Sequence, residues 1–104
     1  MMNAQFPDTE TLPVKPESLS ATIGELEGEI DLQWDAVKGA GSYIVELSKN
    51  KNISWEQIDI VSVSKYTVTG LKGNATYSFR IAAISGKLQG SWSEVVSKKI
   101  VKNI

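Results

Sequence analysis

The stretch Tyr77-Ser78-Phe79-Arg80-Ile81-Ala82-Ala83 decides the fold. Tyr77, Phe79, Ile81 and Ala83 fall at every second position, with Ser78, Arg80 and Ala82 between them. Successive side chains of an extended chain point to opposite faces, so this period describes a strand with one face in an apolar core. A helix needs apolar residues three and four apart, and nowhere does that spacing persist beyond about one turn.

The same alternation recurs on both sides. Upstream lie Tyr66 and Val68, then a run from Trp55 to about Ile60. Before these, Tyr43, Val45 and Leu47 alternate with Ile44, Glu46 and Ser48, and Ile30, Leu32 and Trp34 alternate with Asp31 and Gln33. Leu19 and Ala21 start a first run, and Glu94 to Ile100 form the last. Between the runs stand the residues that reverse a chain: Glu27-Gly28, Lys38-Gly39-Ala40-Gly41-Ser42, Lys49-Asn50-Lys51-Asn52, Gly73-Asn74 and Ser85-Gly86-Lys87-Leu88-Gln89-Gly90. Seven short strands predict an all-β, two-sheet β-sandwich, because a single antiparallel sheet would leave its apolar face wet. Residues 1–15 carry Pro7 and Pro13 and no apolar period, so they read as a flexible leader. The domain is expected over 16–101, with a short tail at 102–104.

The composition narrows the chemistry. The chain has 104 residues, enough for one domain and one core. It has neither Cys nor His. Stability must then come from packed side chains rather than disulfides, and the usual zinc, iron and copper ligand sets and the common base of nucleophilic triads are missing. No nucleophile paired with a base stands out, so the expectation is a non-catalytic protein without a cofactor. The closely spaced acids Glu25, Glu27, Glu29 and Asp31 invite a calcium reading, but they lack the spacing of a helix-loop-helix calcium site, and an acidic solvated edge accounts for them.

The net charge of −1 conceals an asymmetry. Residues 1–35 hold eight acidic residues and one basic one, Lys15, whereas residues 36–104 hold four acidic and ten basic. Opposed solvated faces or contact with neighbouring domains both follow from such a dipole. Nucleic-acid binding is disfavoured by the net charge and by the lack of aromatics interleaved with the lysines. No run reaches the roughly 18 apolar residues of a membrane span, and the first residues lack the pattern of a signal peptide. A complete product of this sequence is expected in the cytoplasm; for a segment of a longer protein the compartment stays open.

Taken together, Leu32-Gln33-Trp34, Tyr43-Ile44-Val45-Glu46, Tyr66-Thr67-Val68-Thr69-Gly70-Leu71, Tyr77 to Ala83 and Gly90-Ser91-Trp92-Ser93 resemble a fibronectin type III domain over about residues 16–100. The resemblance implies an all-β, seven-stranded immunoglobulin-like β-sandwich in which the first, second and fifth strands form one sheet and the third, fourth, sixth and seventh the other. It implies a tyrosine corner in which the Tyr77 hydroxyl bonds backbone near Leu71, and Trp34 as a core plug between the sheets. Trp92 would lie over the sixth strand, where it can stack on Arg80.

The division of strands also gathers loops at two poles. One would hold residues 35–42, 61–65 and 85–90, with Lys38, Lys65, Lys87, Leu88 and Gln89 as the expected partner contacts. The other would hold Glu25-Leu26-Glu27 with Lys49, Lys51 and Lys72. The family's best-known ligand loop, between the sixth and seventh strands, carries no Arg-Gly-Asp here. The expected role is protein interaction or the spacing of other domains by a monomer, with Lys98 and Lys99 guarding the last strand against strand addition. The alternative is a carbohydrate-binding accessory module of a glycan-degrading system, which would use an exposed Trp55 or Trp92. The triplets Asn52-Ile53-Ser54 and Asn74-Ala75-Thr76 matter only where a secretory pathway glycosylates.

Overall fold

The structure, a computed structural model, describes residues 12–101. Most of the expected leader and all of the short tail lie outside the described residues. Eight strands form: β1 Ser20–Ile23, β2 Ile30–Gln33, β3 Ser42–Ser48, β4 Glu56–Val61, β5 Lys65–Val68, β6 Ala75–Ser85, β7 Leu88–Trp92 and β8 Val96–Ile100. One sheet has the order β1-β2-β5; in the other β4 pairs β3, β3 pairs β6, and β7 and β8 both pair β6, all antiparallel. The division between sheets follows the expectation from the sequence. Among the described residues, no helix is long and apolar enough to cross a membrane.

The eighth strand corrects the sequence reading at two places. The six-residue loop expected over Ser85–Gly90 is a two-residue hairpin, Gly86-Lys87, with Ser85 opposite Leu88. Gly86 has φ of 61° and Lys87 is not left-handed, which matches the turn that takes glycine first and follows the twist of its flanking strands. Leu88 and Gln89 are therefore strand residues. The second correction lies at the start of the last strand, expected at Glu94: β7 ends at Trp92 and β8 begins only at Val96. The β6 partner register shifts between Ala82 and Ile84, and Val96 resumes opposite Phe79. Ser93 spans the break: its N–H donates to the Ile81 carbonyl at 2.7 Å, and its Oγ accepts the Ile81 N–H at 2.9 Å. A serine hydroxyl thus replaces a missing ladder carbonyl, and the buried Ile81 amide stays satisfied.

The core lies between the sheets. Ile30, Leu32 and Trp34 from the first sheet face Tyr43, Val45 and Leu47 of β3 and Tyr77, Phe79, Ile81 and Ala83 of β6, all buried. Trp34 packs edge-on against Tyr43, ring centroids 5.4 Å apart. The Tyr43 hydroxyl accepts the Val37 N–H at 2.8 Å, which fixes the loop between β2 and β3 from inside. At the opposite pole Tyr77 does the equivalent. Its hydroxyl accepts the Lys72 N–H at 2.9 Å, one residue past Leu71, while the Leu71 N–H donates to the Gly28 carbonyl at 3.0 Å. The two tyrosines tether loops at both ends of the core.

On the flank formed by β4 and β5, burial lifts the Tyr66 phenol above its ordinary value of 10.0, helped by a hydrogen bond to Asp59. The fold therefore favours protonated Tyr66. Its contribution is complete below pH 10 and is lost as pH rises through the folded value. Urea midpoints taken across the alkaline range should fall more steeply in the parent than in Tyr66→Phe; parallel slopes would remove this role. Tyr77→Phe should lower stability by about 1 kcal/mol, up to ~3 kcal/mol if the Lys72 amide is left without a partner. An unchanged urea midpoint would dispose of the corner as a stabilising element.

Candidate functional site

Strand register places the loops. Ser42 stands opposite Ile84 and Tyr43 opposite Val61, so residues 34–41, 62–64 and 86–87 share one end of the sandwich. Lys38, Lys65 and Lys87 lie there, all exposed, with Val63 also open to solvent. Leu88 is half-buried at the start of β7 and Gln89 is exposed opposite Ile84. The expected contact residues are thus divided: Lys38 lies in the loop that crosses between the sheets, Lys65 begins β5, Lys87 sits in the β6–β7 hairpin, and Leu88 and Gln89 begin β7. Asp35 and Glu17 are exposed at the same end, where the Asp35 N–H donates to the Glu17 carbonyl at 3.0 Å, so the lysines meet some opposing charge.

The segment before the expected domain start runs beside β7. Gly90 has no room for a side chain there: a Cβ would run into the Pro13 carbonyl. Lys15 Nζ lies 3.0 Å from Glu94 Oε2. That hydrogen bond and charge raise the Lys15 pKa above its ordinary 10.5. Both side chains are well exposed, so the pair positions the segment more than it stabilises it.

The outer face of the larger sheet holds the most concentrated chemistry. Arg80 on β6 lies between two indoles, its guanidinium carbon 4.3 Å from the Trp55 ring centre and 4.1 Å from that of Trp92. Trp92 on Arg80 follows the sequence reading, whereas Trp55, read there as the start of the fourth run, completes the stack from the segment just before β4. Arg80 also donates from Nε and Nη2 to Glu46 Oε1 at 2.9 and 2.8 Å. The side chains of Arg80 and Glu46 are 24% and 16% exposed. Such shielding makes this pair stronger than a surface ion pair, and the planar guanidinium serves both the carboxylate and the rings. Each indole gives a face to Arg80, which leaves less flat aromatic surface for a sugar than two free platforms would.

The acids have structural partners. Glu29 Oε1 accepts the Leu26 N–H at 3.2 Å, and Asp31 Oδ1 accepts the Thr67 hydroxyl at 2.7 Å. Among the described residues, no three acidic side chains are grouped so as to hold a metal ion. A groove of about 270 Å³ between Ile23, Leu26, Glu27, Gly73 and Val101 opens at this acidic pole.

Residues 14–99 match the family model for the fibronectin type III domain. A tail tube protein of Bacillus phage SPP1 is 28% identical over 96 residues, covering 92% of this chain and 34% of its own length. A receptor-type tyrosine-protein phosphatase F of Danio rerio is 27% identical over 93 residues, covering 86% of this chain and 5% of its own. The chain therefore spans about a third of one relative and a small fraction of the other. A fibronectin-type-III-like protein from Clostridium thermocellum superposes with a TM-score of 0.78 at 25% identity, over 90% of this chain and 99% of that one. The sixth fibronectin type III domain of a human protein superposes with a TM-score of 0.75 at 20% identity, over 88% of this chain and 89% of that one.

Replacing Arg80 with Leu leaves the shielded Glu46 carboxylate without its partner and should cost about 2–4 kcal/mol. Adding Glu46→Leu should recover much of that loss in a urea titration. Additive losses in the double variant would show that the ion pair does not couple the two positions.

Proposed function

The chain belongs to the fibronectin type III family, and on that premise we propose that it is a non-catalytic module that binds a protein partner through the pole carrying Lys38, Lys65 and Lys87. Fibronectin type III domains are typically used for protein interaction or as spacers, and they are generally non-catalytic. The observation that supports this particular surface is the gathering of three exposed lysines at one end of a tethered core, Lys38 in the β2–β3 loop, Lys65 at the start of β5 and Lys87 in the β6–β7 hairpin. Loops on a rigid sandwich can vary without disturbing packing.

The chemistry of the partner follows from the same residues. An end that exposes Lys38, Lys65 and Lys87, with the exposed Val63 at the same end, suits an acidic patch that carries some apolar surface. Steering by such charges raises association rates and weakens with salt. Binding through the β7 edge is less favoured, because residues 13–15 already run beside it.

A pull-down from the native source, with the domain as bait beside a variant carrying Lys38→Glu, Lys65→Glu and Lys87→Glu, tests the assignment. A partner retained by the parent and lost by the charge-reversed variant is the expected result. A partner held equally by both would move the site elsewhere, and none at low salt would leave the spacer role.

A further inference from the structure

A second concave surface lies on the outer face of the larger sheet, away from the lysine pole. Thr76, Ser78 and Ser97 of β6 and β8 form its floor, and Lys49, Lys51 and Asn52 of the β3–β4 connection form its wall, around a volume of about 450 Å³. No carboxylate lines it. Lys99, opposite Thr76 in the register, adds a further exposed cation at its margin.

The lining is rich in donors. An ammonium has three N–H donors and no acceptor, and a carboxamide has two. The Ser78 and Ser97 oxygens are 2.7 Å apart. One proton makes that bond, so the other serine keeps an O–H to offer a ligand. Lys49 reaches Glu56 only at 3.8 Å, and both side chains are well exposed. The wall is itself ordered: Ser48 Oγ accepts the Asn52 N–H at 2.9 Å, and Asn50 bonds the Ser54 hydroxyl at 2.8 Å and its N–H at 3.0 Å.

Donors from a loop and from two strands converge here in greater number than the two oxygens of a carboxylate can use. A tetrahedral oxyanion offers more acceptors. The volume falls in the range of roughly 300–1,000 Å³ common to small-molecule sites and exceeds what a bare ion fills. We propose that this cup binds a phosphate or sulfate monoester carried on a small polar body such as a hexose, with Lys49 and Lys51 neutralising the oxyanion and the Thr76, Ser78 and Ser97 hydroxyls orienting it. The site is separate from the lysine pole and stands independently of the protein-binding role.

Amide chemical shifts of the intact chain can be followed during titration with glucose 6-phosphate, glucose 6-sulfate, inorganic phosphate and glucose. The two esters should give saturable shifts at residues 49–52, 76, 78 and 97 at concentrations up to roughly 10 mM. Whichever ester binds more tightly identifies the oxyanion, and glucose alone should give no shift. Lys49→Gln combined with Lys51→Asn should weaken binding about tenfold. Asn is chosen at position 51 because Lys51 has φ of 60°, which Asn tolerates. Thr76→Val removes a hydroxyl without changing charge and should weaken binding about threefold. Both variants replace exposed side chains and should keep the parent's urea midpoint. No saturable shift with either ester, or an affinity unaltered by Thr76→Val, overturns the site, because attraction by net charge alone would survive that change. Equal affinity for inorganic phosphate overturns the role of the larger body.

Discussion

The central constraint is the alternation along β6. Eleven residues, Ala75–Ser85, make the longest strand, and its inward side chains Tyr77, Phe79, Ile81 and Ala83 touch both halves of the core. β3 pairs one edge over its full length, and the other edge is shared end to end by β7 and β8. A one-residue slip of β6 would turn Phe79 and Ile81 to water and bury Arg80, so the pattern fixes register as well as face. The tethers at Tyr43 and Tyr77 depend on that register, since each hydroxyl reaches a single loop amide.

The same alternation gives the outer face its chemistry. With the odd-numbered residues of β6 inside, Thr76, Ser78 and Arg80 stand outside, and the face divides. At Arg80 the cation is matched by Glu46 and covered by Trp55 and Trp92, so it is satisfied within the fold. At Thr76 and Ser78 the neighbours are hydroxyls and lysines, with donors in excess of acceptors. Electrostatic balance, rather than burial, separates the structural part of this face from the part able to take a ligand.

Much of this was legible in the residues, and for definite reasons. Period two located the strands, the glycine and asparagine clusters located the reversals, and the family resemblance implied the corner between Tyr77 and Leu71. The Trp92–Arg80 stack was legible because both residues belong to one recognisable pattern. Two features were not. Trp55 is separated from Arg80 by 25 positions, and no local periodicity reports that a segment before a strand folds over a neighbouring one. The break between β7 and β8 depends on Ser93, whose hydroxyl substitutes for a backbone carbonyl; a serine in a turn-like sequence reads the same whether or not it does so.

By itself the sequence determined a β-sandwich without disulfides and the residues of its core, because alternation, turn chemistry and composition are local properties; the membership of each sheet and the two poles where loops gather were implied by the family resemblance. Tertiary structure decided the two-residue Gly86-Lys87 hairpin, the completed Trp55–Arg80–Trp92 stack with Glu46, the approach of Pro13 to Gly90, and the cup formed by Lys49 and Lys51 with Thr76, Ser78 and Ser97. All of these but the hairpin join residues distant in the chain. Their positions follow from sheet register and loop closure, which are set only when the two apolar faces pack together.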